Sequence, residues 1–493
     1  MQADQERHLE ETLDPDDWES IRILGHRMMD DMLEHMRTVR ERYVWKHIPD
    51  EIKEKFKSPL PAEPQAAADV YEEFLQWIVP YPVGNIHPRF WGWVLGTGTV
   101  MGAFAEFLAG SINTNTGGID HHSANYVEKQ VIGWFKEIMG FPASASGLLT
   151  NGCSAANLIG LAVARNAKAE TDLRKTGLRQ SVDSSMLLYA SSEIHSSVQK
   201  AVELLGLGSD ALRMIPANTE FQIDLEKLAE AIREDRRRGH RPFCVVGAAG
   251  TTNTGAIDDL CGLAQICEKE DLWFHVDGAF GAWAVLSDEL KEMVSGMERA
   301  DSLAFDLHKW MYMPYEIGCV LIRSEEENRR AFSLTPAYLS HGEGGRGMTG
   351  GDLPWFSDYG YQLSRGFRAL KAWMVLKEQG MRKFSRLIRQ NVEQARYLGS
   401  LIEKRPDLEL ATPITLNVVC FRFKDSGMND ERADWINRQI LIELQEQGVA
   451  APSGTVINDR FYIHVANTNH RSRREDFELL VEEVVRIGKG LLD

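Results

Sequence analysis

The 493-residue chain lacks the features of a membrane protein or a nucleic-acid-binding protein. It has no apolar run long enough to span a bilayer. Its start, "MQADQERHLEETLDPDD", is acidic and polar, whereas a signal peptide is basic and then apolar. Acidic residues outnumber basic ones by 72 to 55, which gives a net charge of −17. A surface of this charge repels nucleic acid and anionic membranes.

Cysteine is also scarce, and no CxxC pair is present. The six cysteines are scattered along the chain, mostly in apolar surroundings: Cys153, Cys244, Cys261, Cys267, Cys319 and Cys420. This distribution predicts reduced core residues rather than disulfides or a zinc site. We therefore expect a cytoplasmic protein.

The hydrophobic pattern predicts three regions. Residues 1–80 form a helical arm, with a helix capped at Asp14-Pro15 and a second helix over 66–78. The arm has little core of its own, so we expect it to pack on the main body or on a second subunit. Residues 81–376 alternate strand-like and helix-like runs, which predicts a largely parallel sheet covered by helices. Residues 377–493 predict an α+β domain with a strand pair, a helix over 430–447, one further strand and a final helix.

The stretch "GLLTNGCSAANLIGLAVARNA" predicts a strand, a tight turn and an Ala-rich helix. Gly152, Cys153 and Ser154 occupy the predicted turn. Free backbone N–H groups at a helix start bind anions, and a serine hydroxyl adds a donor. An ordinary helix cap is the alternative interpretation.

Two further stretches predict an acid and a lysine near the same sheet edge. "FCVVGAAGTTNTGAIDDLCGLAQICEKEDLWFHVDGAF" has the pattern of a β-α-β unit and places Asp277 at the end of a buried strand. Asp277 either faces a ligand or caps the next turn, and as a buried carboxylate it requires a cationic neighbour. Lys309, in the apolar "SLAFDLHKWMYMPYEIGCVLIR", is the candidate. Burial there would lower the pKa of Lys309 and suit it to imine formation. An anion site, an acid and a lysine are the parts that hold pyridoxal phosphate.

At this point the chain resembles the group II pyridoxal-phosphate-dependent decarboxylases, and among them the aromatic-L-amino-acid decarboxylases. The similarity extends over nearly the whole chain and includes, in order, "HSSVQKA", "HVDGAF", "DLHKW" and "PAYL". The resemblance implies an α/β fold-type I enzyme, with a mainly parallel mixed sheet sandwiched by helices, an N-terminal helical arm and a C-terminal α+β domain. It also implies pyridoxal 5′-phosphate as cofactor, an amino-acid substrate and a homodimer with the site at the subunit interface.

The resemblance implies four catalytic residues. Lys309 forms the Schiff base with the cofactor, and Asp277 keeps the pyridine nitrogen protonated. His195 stacks on the ring and helps to hold the substrate carboxylate. Tyr338, on a lid, protonates the α-carbon after carbon dioxide leaves.

The resemblance also implies further cofactor contacts. Cys153, Ser154 and His308 contact the phosphate, Cys153 through its backbone. Thr252 lies next to the ring hydroxyl, and Ala279 lies in the "HVDGAF" motif beside Asp277. One position departs from the family: an asparagine in the lysine motif is Asp306 here. Two negative groups near the phosphate repel unless Asp306 turns away or accepts hydrogen bonds from nearby donors.

The substrate pocket is predicted from aromatic and polar stretches. In "HPRFWGW", Trp91 and Trp93 suit a flat aromatic ring, although core burial is the alternative for both. Asn113, Thr114 and Asn115 lie where the family brings a loop from the second subunit to the pocket. No arginine lies obviously at the pocket, since we expect Arg365 and Arg368 at the domain junction.

These features predict decarboxylation of tryptophan, tyrosine, phenylalanine or a hydroxylated analogue to the amine and carbon dioxide. An aromatic aldehyde synthase, an acidic amino-acid decarboxylase and a non-catalytic protein are the alternatives.

Two other motifs carry no binding prediction. "GEGGRG" at 342–347 fits GxGxxG but follows no strand and opens no helix, so it predicts a mobile lid behind Tyr338. "DHH" at 120–122 has no third ligand at a suitable spacing and predicts a loop rather than a metal site.

Overall fold

The structure is a computed structural model that describes residues 11–118, 122–178, 185–334 and 355–492. Tyr338, the 342–347 segment, Asp120 and His121 lie outside these described residues. Within them, no helix is both long and apolar enough to cross a membrane.

Fifteen α-helices are found in the described residues. In chain order they are α1 (Trp18–Arg37), α2 (Asp50–Lys55), α3 (Ala67–Glu73), α4 (Val100–Ile112), α5 (Ser123–Ile138), α6 (Cys153–Lys168), α7 (Leu173–Thr176), α8 (Ser196–Leu204), α9 (Leu225–Arg237), α10 (Leu260–Glu270), α11 (Glu325–Phe332), α12 (Ala369–Gln379), α13 (Met381–Glu403), α14 (Asp430–Glu446) and α15 (Arg474–Gly490).

Eleven β-strands accompany the helices in the same residues. They are β1 (Ser146–Thr150), β2 (Met186–Ser191), β3 (Leu212–Ile215), β4 (Arg241–Ala248), β5 (Trp273–Asp277), β6 (Ser302–Asp306), β7 (Gly318–Ile322), β8 (Leu408–Leu410), β9 (Val418–Phe423), β10 (Ser453–Ile457) and β11 (Arg460–Ala466).

The larger sheet has seven strands in the order β1-β7-β6-β5-β4-β2-β3. Strands β3, β2, β4, β5 and β6 are parallel, whereas β7 is antiparallel to both β6 and β1. Every residue of β1, β2, β5, β6 and β7 is buried. Strands buried on both faces consist of continuous apolar runs, and this explains why the sequence identified them.

The smaller sheet is antiparallel, in the order β10-β11-β9-β8, and packs against α13, α14 and α15. The sequence predicted one strand after the helix over 430–447. The structure has two, because "NDR" at 458–460 turns the chain back: Asn458 and Asp459 have positive φ, and β10 pairs with β11 as a hairpin.

The first helix begins later than predicted. Its N-cap is Asp17 rather than Asp14, and the Asp17 carboxylate accepts hydrogen bonds from the backbone N–H groups of Glu19 and Ser20. A proline follows Asp14, but the chain becomes helical only at Trp18. The second predicted helix is confirmed as α3, and a π-helical turn over Phe74–Ile78 completes it.

The register of the larger sheet places the predicted site residues at one edge. Asp277 ends β5 and Asp306 ends the neighbouring parallel strand β6. Thr150, the last residue of β1, pairs with Gly318, which also pairs with Asp306. The start of α6 therefore lies at the same edge as the two carboxylates.

Candidate active site

The start of α6 is built around a glycine. Gly152 is the N-cap, with φ of 131°, a conformation that L side chains rarely adopt. Its position lets Cys153 open the helix, so Cys153 and Ser154 belong to the first helical turn rather than to the preceding loop. The backbone N–H of Cys153 donates to Asp306 Oδ1 at 2.6 Å. The donor that the resemblance assigned to a phosphate is thus already bonded to a carboxylate in this structure.

Asp306 is surrounded by donors, and this accounts for its presence at the site. Its side chain is 3% exposed. Besides the bond from Cys153, it forms an ion pair with Lys309, with Nζ 3.1 Å from Oδ2, and lies 3.5 Å from His308 Nε2. Asp306 therefore does not turn away; its charge is compensated within the chain.

The pKa of Lys309 is shifted in the direction opposite to the sequence prediction. We expected burial to lower the pKa of Lys309. Burial does act in that direction, but the negative charges of Asp306 and Asp277 and the hydrogen bond to Asp306 outweigh it, so the pKa of Lys309 is raised. The sequence showed the apolar surroundings of Lys309 but not its carboxylate partner.

Asp277 has neutral partners instead. Asn157 Nδ2 donates to its Oδ2 at 2.9 Å, and the backbone N–H of Ala279 donates to its Oδ1 at 3.1 Å. The thiol of Cys153 lies 3.4 Å from Oδ1, and burial raises the pKa of that thiol, so it remains protonated. In the described chain, the cation expected beside Asp277 pairs with Asp306.

His195 caps α8, and its Nδ1 accepts a hydrogen bond from the backbone N–H of Ser197 at 3.2 Å. The Ser197 hydroxyl lies 2.8 Å from the same nitrogen. Burial lowers the pKa of His195. His195 is therefore a neutral imidazole that faces the cavity.

His308 lies against the aromatic ring of Tyr315, with ring centroids 4.3 Å apart. Its Nδ1 accepts from the backbone N–H of Ile317 at 3.2 Å, so the proton of the neutral ring lies on Nε2, towards Asp306. Burial lowers the pKa of His308 and raises that of Tyr315 to about 12.

One cavity of about 430 Å³ brings these residues together. Its walls include seven predicted site residues: Cys153, Ser154, His195, Asp277, Ala279, His308 and Lys309. A larger groove of about 1000 Å³, lined by residues 166–175 and 326–334, contains none of the predicted site residues.

Sequence reasoning missed several cavity residues, among them Ser197, Lys200, Tyr315 and Tyr361. It also missed Asn157, which lies behind the wall. Asn157 follows Cys153 by four residues on α6, so helical spacing places both on one face and could have identified it.

Five other predicted residues lie elsewhere in this chain. Trp91 is buried in the core next to the smaller sheet, stacks on Phe477 with ring centroids 4.8 Å apart, and donates its indole N–H to Ser472. Its assignment to the substrate pocket is wrong. Trp93 is 58% exposed, and neither it nor Asn113, Thr114 or Thr252 lines the cavity. The Thr252 carbonyl accepts from His464 in the smaller sheet.

Arg365 is also not where it was expected. It is fully buried, pairs with the equally buried Glu128 on α5 at 2.5 Å, and donates to the Leu149 carbonyl of β1. It thus joins α5 to the larger sheet instead of holding a domain junction. The side chain of Asn115 accepts from the backbone N–H groups of Gly117 and Arg365, so it connects its own loop to the segment around residue 365.

The chemistry of the cavity suits pyridoxal phosphate. It combines an amine, a carboxylate held by neutral donors, a neutral imidazole and a helix start with a serine hydroxyl. These are the groups required for the aldehyde, the ring nitrogen, the ring face and the phosphate of that cofactor.

Comparison with known proteins agrees with this chemistry. The profile of the pyridoxal-dependent decarboxylase conserved domain matches residues 49–424. The chain is 34% identical over 462 residues to an aromatic-L-amino-acid decarboxylase of Bacillus atrophaeus, covering 93% of both chains. It is 24% identical to a phenylacetaldehyde synthase of Arabidopsis thaliana over 96% of this chain and 97% of that protein. A structure of Oryza sativa TDC with PLP and tryptamine superposes with a TM-score of 0.90, at 23% identity, over 98% of this chain and all of the other.

The chain belongs to the pyridoxal-dependent decarboxylase family and has its fold-type I architecture. It is a pyridoxal-phosphate-dependent amino-acid decarboxylase.

Proposed function

We propose that this chain converts an aromatic L-amino acid to its amine and carbon dioxide, and that Lys309, Asp277 and His195 act directly in the reaction. The observation that supports this most strongly is the presence of these three residues on the walls of one cavity. The 34% identity to a relative named as an aromatic-L-amino-acid decarboxylase supports the choice of substrate class.

Pyridoxal phosphate, when bound, supplies the conjugated ring that accepts the electrons released as the carboxylate leaves. The residues of the chain bind and orient around it. Asp277 would hold the proton of the ring nitrogen, because its carboxylate is buried and, among the described residues, accepts bonds from neutral groups. Lys309 provides the amine that anchors the cofactor. Ser154, in the first turn of α6, and His308, between β6 and β7, line the same cavity and would bind the phosphate.

His195 contributes through its neutral ring. Because Nδ1 accepts from Ser197, Nε2 carries the proton and donates to the substrate carboxylate. For the later proton transfer to the α-carbon we keep Tyr338, which the resemblance implies.

We also propose a cytoplasmic homodimer whose partner subunit completes the substrate pocket. Helix α1 buries none of its own residues in the described chain, although it carries the apolar side chains of Trp18, Ile21 and Ile23 on exposed positions. Phe107 and Ile112 of α4 are each 62% exposed and lie just before Asn113 and Thr114. An exposed apolar surface of this kind supports an interface, and the 113–115 loop and Trp93 would reach the partner's pocket from it.

The test of substrate is a panel of all twenty amino acids, assayed for both amine and carbon dioxide. Equal yields of amine and carbon dioxide from tryptophan, tyrosine or phenylalanine support the proposal. Aldehyde with ammonia and peroxide identifies an aldehyde synthase, the activity in the name of one relative. Turnover of glutamate or aspartate alone identifies an acidic amino-acid decarboxylase, and failure to bind the cofactor identifies a non-catalytic protein.

The test of the shared pocket uses two inactive variants. Lys309→Ala and a 113–115 loop variant that introduces a negative charge, Thr114→Glu, are expressed together. If the partner supplies that loop, mixed dimers regain one intact site and part of the activity. If activity does not return, and sedimentation shows a mixed dimer, the loop does not contribute to the partner's pocket.

A further inference from the structure

Asn157 connects two walls of the active site. It is completely buried on α6. Its Nδ2 donates to Asp277 Oδ2 at 2.9 Å and to Ser197 Oγ at 3.0 Å. Its Oδ1 lies 2.9 Å from His275 Nε2. A single amide therefore contacts the carboxylate proposed for the ring nitrogen and the serine that holds His195.

The direction of every hydrogen bond around Asn157 follows from the chemistry of its neighbours. An ionised carboxylate only accepts, so the amide nitrogen faces Asp277 and the amide oxygen faces His275. His275 Nε2 must then carry a proton. Burial lowers the pKa of His275 to about 4, so the ring is neutral and its Nδ1 is an acceptor.

The far end of the chain of bonds agrees with this assignment. His275 Nδ1 lies 2.7 Å from the Ser302 hydroxyl, which donates to it. The Ser302 oxygen in turn accepts from the indole N–H of Trp273 at 2.8 Å. An indole N–H can only donate, so the series from Trp273 to Asp277 has one consistent direction.

The same amide sets the state of His195. Ser197 Oγ accepts from Asn157, so its own hydroxyl proton is available to His195 Nδ1 at 2.8 Å. The backbone N–H of Ser197 donates to the same nitrogen. With two donors at Nδ1, the proton of His195 lies on Nε2.

We propose that Asn157 is a positioning residue that holds Asp277 and His195 in one arrangement and keeps His195 as a donor through Nε2. The inference rests on the proposed roles of those two residues. Asn157 touches neither substrate nor cofactor; it acts through the groups that it orients.

The test compares Asn157→Leu, which keeps the branched side-chain skeleton and the neutral charge but removes both hydrogen-bonding groups, with the wild-type enzyme. The dissociation constant for pyridoxal phosphate is expected to rise about tenfold or more, and kcat/KM to fall about 10- to 100-fold. Without the bond from Asn157, the Asp277 carboxylate changes in basicity and is less fixed in position. The pH midpoint of the absorbance change of the bound cofactor is therefore expected to shift by about one unit.

Asn437→Leu is the matched control. Asn437 is also fully buried and bonded through both ends of its amide, but to the backbone of β9 and α14. This variant is expected to lower the melting temperature without changing the cofactor dissociation constant or the pH midpoint. A folded Asn157→Leu enzyme that behaves in the same way would overturn the proposal.

Two further variants keep the test decisive. If Asn157→Leu does not fold, Asn157→Ser, whose hydroxyl is too short to reach Asp277, is measured with the same readouts. Ser197→Ala removes the hydroxyl that joins Asn157 to His195 and leaves the bond from Asn157 to Asp277 in place, so kcat/KM is expected to fall about tenfold while the cofactor dissociation constant stays within about twofold. If Ser197→Ala lowered kcat/KM and cofactor affinity equally, Asn157 would not act separately on Asp277 and on His195.

The two spectroscopic readouts require no substrate. An enzyme that shows these shifts but turns over no aromatic amino acid contradicts the proposed function and leaves the role of Asn157 intact.

Discussion

Asp277 and Asp306 end neighbouring parallel strands, and both are nearly fully buried, yet the chain stabilises them in different ways. Asp306 pairs with the cation of Lys309 and accepts from the start of α6. In the described chain, Asp277 accepts from an amide, a backbone N–H and a thiol, all of them neutral.

The difference indicates which of the two carboxylates stabilises the protein itself and which is left to bind a ligand. Removing an ion from water costs several kcal/mol unless an opposite charge or good hydrogen bonds replace the lost hydration. The charge of Asp306 is balanced by Lys309 within the chain, so this carboxylate needs no ligand to compensate it. Among the residues that the structure describes, Asp277 has hydrogen bonds but no ion pair, so its charge remains available for a protonated ring nitrogen.

The variant with the largest expected effect is Lys309→Ala. It removes the amine that anchors the cofactor, and carbon dioxide release is expected to fall by several orders of magnitude. Loss of the visible absorbance of the bound cofactor is expected with it. Lys168→Ala is a suitable control, because Lys168 is similarly buried, with 26% of its side chain exposed against 20% for Lys309, and pairs with Asp271 away from the cavity. Near wild-type turnover in Lys309→Ala would refute the assignment.

Asp277→Asn has the next largest expected effect on activity. The substitution keeps the shape but removes the charge that the cavity leaves for the ring nitrogen. We expect kcat to fall about 100-fold or more, on the scale of losing one charge-stabilising group in an active site. Asp306→Asn, measured beside it, is expected to retain much more activity. Equal losses in the two variants would remove the distinction between the two carboxylates.

Asp306→Asn has a smaller expected effect, and it is a gain: the cofactor should enter the apoenzyme faster. Asp306 raises the pKa of Lys309, so the variant lowers it and leaves a larger fraction of the lysine neutral at any pH below that pKa. The rate of cofactor incorporation into the apoenzyme at pH 7–8 is therefore expected to rise about tenfold for each unit by which the pKa falls. Stopped-flow absorbance over a range of pH measures it. A pH profile that does not move would show that Asp306 does not control Lys309.

The smallest expected effect is on thermal stability, and it concerns His275, the neutral histidine that is connected to Asp277 through Asn157. Burial lowers the pKa of His275 to about 4 from 6.5, so this histidine supports the folded state above pH 6.5 and loses that contribution as the pH falls towards 4. In His275→Gln the melting temperature is expected to vary less between pH 7 and pH 5, by a few degrees.

His87→Gln serves as the comparison for that variant. Its pKa is also lowered to about 4 by burial, but it lies outside the cavity. Both variants are expected to flatten the pH dependence, and only His275→Gln should also weaken cofactor binding. A change in cofactor binding by His87→Gln would count against the specific connection through Asn157.

Local patterns in the sequence were sufficient for the fold. The strand ending at Asp277 was predictable because a fully buried strand is a continuous apolar run that stops at a polar residue. The β1–α6 unit was predictable from its glycine turn. Asp14 was mistaken for the first cap because Asp17 offers the same local signal three residues later, and only the backbone conformation distinguishes them.

Contacts that the local sequence pattern does not show decided the errors. Trp91 was assigned to a substrate pocket because an aromatic side chain suits either a ligand or a core, and its partner Phe477 lies at the other end of the chain. The direction of the pKa shift of Lys309 was wrong because the carboxylate that reverses it is placed by the register of β6 against β5 and β7.

The sequence by itself determined the fold class and the cofactor, and it predicted seven residues of the cavity wall, because each of these inferences depends on short patterns and ordered motifs. The tertiary structure decided which carboxylate pairs with Lys309, which nitrogen of His195 carries the proton and how Asn157 joins the two sides of the cavity. Lys309 and Asp306 are only three residues apart, and His195 and Ser197 only two, but their partners Cys153 and Asn157 lie 40 to 153 residues away in the chain. Such bonds exist only after the strands have aligned.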